Sequence, residues 1–173
     1  AGQMAATIRA IRARCPDTGV EVLISDYRGD EAALGVVLDA SPRVLNHNIE
    51  TVERLQRRVR PAAGYQRSLS VLRRAGELRP DIPTKSGLML GLGERDQEIE
   101  VTLRDLREVG VTLLTLGQYL RPSADQLPVD RYLSPQEFDS WERRALALGF
   151  RGVVAGPLVR SSYHAEKLAG RLA

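Results

Sequence analysis

A chain of 173 residues with ordinary charged and apolar fractions has enough material for one good core, which argues against disorder and leaves room for one domain with a small appendage. Its net charge of +3 comes almost wholly from arginine, since Lys85 and Lys167 are the only lysines. Arg57, Arg58 and Arg60, Arg73 and Arg74, and Arg143 and Arg144 alternate with acidic residues and few aromatics, which reads as solvated helix surface and not as a nucleic-acid face. No apolar run approaches the roughly 20 residues of a membrane helix. The opening Ala1-Gly2-Gln3-Met4 has none of the regions of a secretory signal. One cysteine, Cys15, excludes an internal disulfide framework and fits a reducing compartment.

In chain order, Met4, Ile8, Ile11 and Cys15 recur at helical spacing until Pro16 stops them, which predicts a helix with Cys15 on its apolar face. Nothing like an N-cap or a leading strand precedes this helix, so the domain is expected to start earlier. Five apolar runs read as strands: Val20 to Ser25, Arg43 to His47, Thr84 to Gly91, Val111 to Gly117, and Gly152 to Gly156. Helical patterns separate them, with Leu69 and Leu72 in one and Ile99, Leu103 and Leu106 in another. Between Leu120 and Leu133 lies a long irregular piece, of a length that is often functional. Ser134-Pro135-Gln136-Glu137 then supplies an N-cap, a first-turn proline and a capping-box glutamate, and Phe138, Trp141, Ala145 and Leu148 form one apolar face behind it. Strict alternation of strands and helices predicts a parallel α/β sheet, open or curled into a barrel.

Every strand ends in polar residues: Asp26-Tyr27-Arg28-Gly29, Asn46-His47-Asn48-Ile49-Glu50, Gly91-Leu92-Gly93-Glu94, Gln118-Tyr119, and Arg160-Ser161-Ser162-Tyr163-His164. Parallel strands finish on one side of a sheet, so these loops should converge there. Asn48 and Glu50 alternate along an extended segment and can form a fork suited to a ribose diol; an Asn side-chain turn followed by a capping carboxylate fits the spacing equally well. The glycines at 87, 91 and 93 match neither dinucleotide nor Walker spacing and read first as a strand-to-helix turn with Glu94 near a helix N-terminus. His47 reads as a satisfied buried histidine. A triad of Ser162, His164 and Asp26 lacks the strained glycine elbow around its serine.

Together these segments resemble lipoyl synthase, a radical S-adenosylmethionine family. The resemblance is carried by Glu21 to Gly29, Asn46 to Thr51, Val59-Arg60-Pro61, Thr84 to Glu94, Gly117 to Ser123, and Gly156 to Ala165. It implies a partial (β/α)6 TIM-like barrel of the radical SAM type, represented here by about its last four strands plus a C-terminal extension. Residues 1–133 would be the C-terminal part of the barrel, and residues 134–173 the extension with its helix, strand and Arg-Ser-Ser-Tyr motif. The family inserts sulfur at C6 and C8 of a protein-bound octanoyl chain, using two 4Fe–4S clusters and S-adenosylmethionine. By this resemblance Asn48 and Glu50 contact the ribose and methionine moieties. Gly87, Met89, Gly91 and Glu94 lie beside the adenosyl group, and Gln118 and Tyr119 near the adenine. Ser162 would ligate an iron of the auxiliary cluster, with Arg160 stabilising the alkoxide or a sulfide. The implied partners are octanoylated carrier proteins (the glycine cleavage H protein and E2 lipoyl domains) and iron–sulfur assembly or carrier proteins, with no nucleic acid and no membrane. The implied setting is the cytoplasm of a bacterium, or an organelle in a eukaryote.

One departure matters. The family's cluster cysteines all precede the matched region, and Cys15 falls where the family places no ligand. A 4Fe–4S cluster needs several thiolates, so the chain alone is expected to be inactive, a C-terminal portion of the enzyme. Two alternatives stand beside this reading. One is a non-radical lyase or aldolase using Lys85 as a Schiff-base lysine; the other is a non-catalytic remnant that binds carrier proteins.

Overall fold

A computed structural model describes residues 1–163 and 165–170. Helices and strands alternate along it: α1 (Gly2–Arg14), β1 (Glu21–Leu23), α2 (Glu31–Leu38), β2 (Val44–Asn46), α3 (Gln56–Val59), α4 (Tyr65–Leu78), β3 (Thr84–Leu90), α5 (Asp96–Glu108), β4 (Leu113–Gln118), α6 (Pro135–Ala147), β5 (Gly152–Gly156) and α7 (Ala165–Gly170). All five strands are parallel and pair in sequence order, β1-β2-β3-β4-β5. Sequential parallel pairing with helical crossovers turns the sheet continuously one way. The fold is therefore an α/β partial barrel, and β5 continues the same sheet as β4.

Register decides which residues face inward. Leu23, Asn46, Lys85, Leu113 and Gly152 stand opposite one another in one row, and Gly87, Thr115 and Val154 in the next row toward the carboxyl ends. Residues of opposite parity, such as Leu88, Leu90, Leu114, Leu116 and Val153, form the main core with Leu103, Leu106, Phe138 and Trp141 of the helices. Val22 and Leu45 do the same beneath α1, α2 and α4. The inner face is more polar. Lys85, fully buried, donates to both oxygens of Glu21 at 2.8 and 3.0 Å, reaching over β2, where Asn46 donates to the same carboxylate. Leu168 of α7 packs against Val44, Leu113 and Val154 on this face.

The α6 start follows its sequence signature: the Glu137 amide donates to the Ser134 hydroxyl, and Glu137 accepts from the Ser134 amide at 2.8 Å. Cys15 is a correction. It is exposed, just past the end of α1, because the helix stops at Arg14 and the backbone of Cys15 departs from helical geometry. The short β1 also falls within a longer predicted run, since the last bond to β2 runs from the Ile24 amide to the Asn46 carbonyl.

Candidate functional site

The segment after β2 is held from every side. Ser86 accepts from the Ile49 amide, and Glu50 exchanges backbone hydrogen bonds with Gly87 and Met89 at 2.9 Å. Gln56 donates to the carbonyls of Ile49 and Thr51 at 2.7 Å, and Arg60 donates to that of Asn48 at 3.0 Å. These bonds keep Glu50 in a left-handed conformation, φ 66°. Such a backbone is costly for a residue with a side chain and survives only where its surroundings over-determine it.

As a result, both Asn48 and Glu50 face one hollow of about 170 Å³ at the carboxyl ends of β2, β3 and β4. The Asn48 amide nitrogen donates to Glu50 Oε1 at 3.2 Å, which settles the orientation of that amide. Its oxygen, Oδ1, is buried without a partner. Burial pushes the Glu50 carboxyl above the usual carboxylate range, although the Asn48 amide and the Arg60 charge pull the other way. Gly87 forms part of the lining, and a β-carbon there would stand 2.8 Å from Asn48 Oδ1 and 3.0 Å from Thr115 Oγ1. A glycine thus leaves space above the strand between two polar atoms.

Asn48, Glu50, Gly87, Met89, Gln118 and Arg160 all line this hollow. Gln118 also donates to the carbonyls of Tyr119 and Arg131 and accepts from the Leu133 amide, so it clamps the long 120–133 loop. Four expected residues lie outside the lining. Gly91 and Glu94 form a clasp, the carboxylate of Glu94 accepting from the amides of Gly91 and Leu92 at 2.6 and 2.8 Å. Tyr119 is in the core and donates to the Leu127 carbonyl. Ser162 is exposed, beside Arg160 and Ser161 of the lining. His164 lies outside the described residues.

Thr115 and Val159 belong to the lining and carry no motif. Only the inward parity that Thr115 shares with Gly87 marks it, and that emerges once β3 and β4 are in register.

The remaining candidates lie elsewhere. His47 is buried, with its ring nitrogens on the Ile24 carbonyl and the Ser68 hydroxyl; burial holds its pKa below the ordinary value. Burial pushes Asp26 up, but the Arg28 amide and the Arg67 guanidinium outweigh it and hold the carboxyl below its usual range. Lys85 does not line the hollow, and its ammonium is engaged by Glu21. Among the described residues no three His, Cys, Asp or Glu side chains converge as metal ligands.

Chemically, the hollow pairs an unsatisfied amide oxygen with a carboxylate, both acceptors for hydroxyl donors, beside glycine backbone and the apolar side chains of Met89, Leu120 and Val159. That combination suits a nucleoside. No helix is long and apolar enough to cross a membrane among the described residues.

Residues 2–106 match the family described as the Radical SAM superfamily. The chain is 57% identical to the lipoyl synthase of Rubrobacter xylanophilus over 96% of its own length and 52% of the relative's. It is 56% identical to that of Symbiobacterium thermophilum, over 94% and 51% of the two lengths. With the Trichlorobacter lovleyi lipoyl synthase it shares 55% identity over 98% and 60%. It spans about half the length of the curated relatives it matches. On the parallel sheet, the polar hollow at its strand ends and these matches, the chain belongs to the radical SAM superfamily and is similar to lipoyl synthases over nearly all of its length.

Proposed function

We propose that this chain supplies the nucleoside cradle of a lipoyl synthase, an enzyme that inserts two sulfur atoms at C6 and C8 of a protein-bound octanoyl group. The observation that carries this reading is the buried, unpartnered Asn48 Oδ1 beside the Glu50 carboxylate. A ribose diol offers two hydroxyl donors to such a pair, and a flat base can lie against Gly87. The residues present therefore fit S-adenosylmethionine: Asn48 and Glu50 hold the sugar and the methionine moiety, while Met89 and Gln118 border the adenosyl group. Glu94, Gly91 and Tyr119 act one layer back, shaping the turn and the long loop.

The residues present do not fit an iron–sulfur cluster. The chain has one thiol, Cys15, on an exposed helix end, and thiolate-bound iron needs several. The thiolates for both clusters then come from outside this chain. Ser162 can contribute an oxygen ligand from the rim, and Arg160, two residues before it, supplies a cation to stabilise that oxygen or a sulfide. The partners are octanoylated carrier domains, such as the glycine cleavage H protein or E2 lipoyl domains, together with iron–sulfur assembly or carrier proteins. The setting is the bacterial cytoplasm.

Joining the chain to the N-terminal half of the Rubrobacter relative tests this. The joined protein is expected to load iron and to convert an octanoyl-lysine peptide, followed by mass spectrometry. Ser162→Ala should abolish sulfur insertion but leave S-adenosylmethionine binding intact. Asn48→Ala should weaken that binding about tenfold, as expected for a lost buried hydrogen bond. Unchanged sulfur insertion in the serine variant removes the ligand assignment, and unchanged binding in the asparagine variant removes the cradle.

A further inference from the structure

We infer that the turn after β5, residues 157–163, is an integral wall of the hollow through Val159, Arg160 and Ser161, seated by Gly117 and, beyond it on α7, by Leu168, whose role is to position Arg160. This deepens the nucleoside reading and rests on it for the identity of the ligand.

Three observations place the segment. After β5 the chain turns back, with the Val159 amide donating to the Gly156 carbonyl at 3.2 Å. It lies so close over β4 that a β-carbon on Gly117 would fall on the Val159 carbonyl oxygen, with the carbonyl carbon next nearest. Both neighbours are backbone, so no side-chain rotation could relieve the clash, and only glycine admits this crossing. The guanidinium of Arg160 donates to that same Val159 carbonyl at 2.7 Å, and the Tyr163 amide donates to the Arg160 carbonyl at 2.9 Å. Val159, Arg160 and Ser161 consequently line the hollow.

Further along, Leu168 is wholly buried against Val44 and Leu113, with Val154 beside them. Val44 begins β2 and Leu113 begins β4, so Leu168 lies toward the amino ends of the strands. Thus residues 157–163 cross Gly117 at the rim, and residues 165–170 lie on the inner face at a second anchor. Arg160 is exposed and bonds to its own neighbour's carbonyl, so its placement depends on where that carbonyl is held. Fixing the backbone at both ends of the segment does this.

Hydrogen exchange of the 173-residue chain, read by mass spectrometry, tests the seat. Peptides from 157 to 170 should be protected, and Gly117→Ala or Leu168→Asp should speed their exchange at least about tenfold while peptides of β1 to β3 keep their protection. Leu168→Met should restore the original rates. Gly35→Ala, where a β-carbon meets nothing within 4 Å, should leave them unchanged. If Gly117→Ala unfolds the whole chain, Leu168→Asp decides. A segment that exchanges freely in the original protein, or is indifferent to Leu168→Asp, overturns the inference.

Coupling to Arg160 separates positioning from plain stability. With S-adenosylhomocysteine as probe, Arg160→Ala should weaken binding roughly fivefold in the original chain and less than about twofold in Leu168→Asp. Equal effects in both backgrounds overturn the positioning role. Absence of any binding by the original chain sinks the nucleoside reading instead, and the exchange result still decides whether the wall exists.

Discussion

Glu50 concentrates the conflict between folding and binding into one residue. Its φ of 66° suits glycine, and its carboxyl is half-buried at the hollow. Comparing two truncations isolates the backbone: Glu50→Gly should be more stable than Glu50→Ala by about 1 kcal/mol in urea unfolding, reversing the usual order of these residues within an element. Both should lose nucleoside affinity. The carboxyl also sets a pH dependence. Ligand hydroxyls need the ionised form, and the folded pKa is raised, so affinity measured by calorimetry should fall as pH drops through that raised value, nearer neutrality than for an ordinary glutamate. Loss only in the ordinary glutamate range would contradict this. The pairing of Asn48 with Glu50 was legible as one of two readings of an alternating spacing. The left-handed turn was not, because bonds from Gln56, Arg60 and Ser86 impose it from outside the segment. Glu94 shows the reverse: its position after the glycines was visible, but its engagement with two backbone amides depends on how the turn closes.

At the scale of elements, short apolar runs marked all five strands, even though the inner face carries Glu21, Asn46 and Lys85. The capping box located α6 to the residue. The four-residue α3 and six-residue α7 left no periodicity to find. Nor could spacing reveal that Lys85 on β3 reaches Glu21 on β1 over the intervening strand. This pair braces three strands on the inner face. Lys85→Met should destabilise the chain by about 3 kcal/mol, because it leaves a largely buried carboxylate without its cation. Adding Glu21→Leu should recover most of the loss, measured by urea midpoints. A single variant as stable as the original would show that water, and not lysine, satisfies Glu21.

For the molecule as a whole, β1 is the first strand of the sheet among the described residues, pairs only with β2, and has an inward-facing Leu23 that is half-exposed beside its unpaired edge. An open apolar edge invites pairing with another chain. Leu23→Lys should reduce concentration-dependent association in sedimentation experiments while shifting unfolding by no more than about 0.5 kcal/mol. Because each strand joins only its immediate predecessor and successor, the ladder can grow stepwise, with small entropic penalties for every addition. The meeting of Leu168 with Val44 is different in kind, since it must close a loop over most of the polypeptide. The barrel can thus mature ahead of its own pocket, and a refolding chain should acquire sheet structure before it becomes competent to capture a ligand.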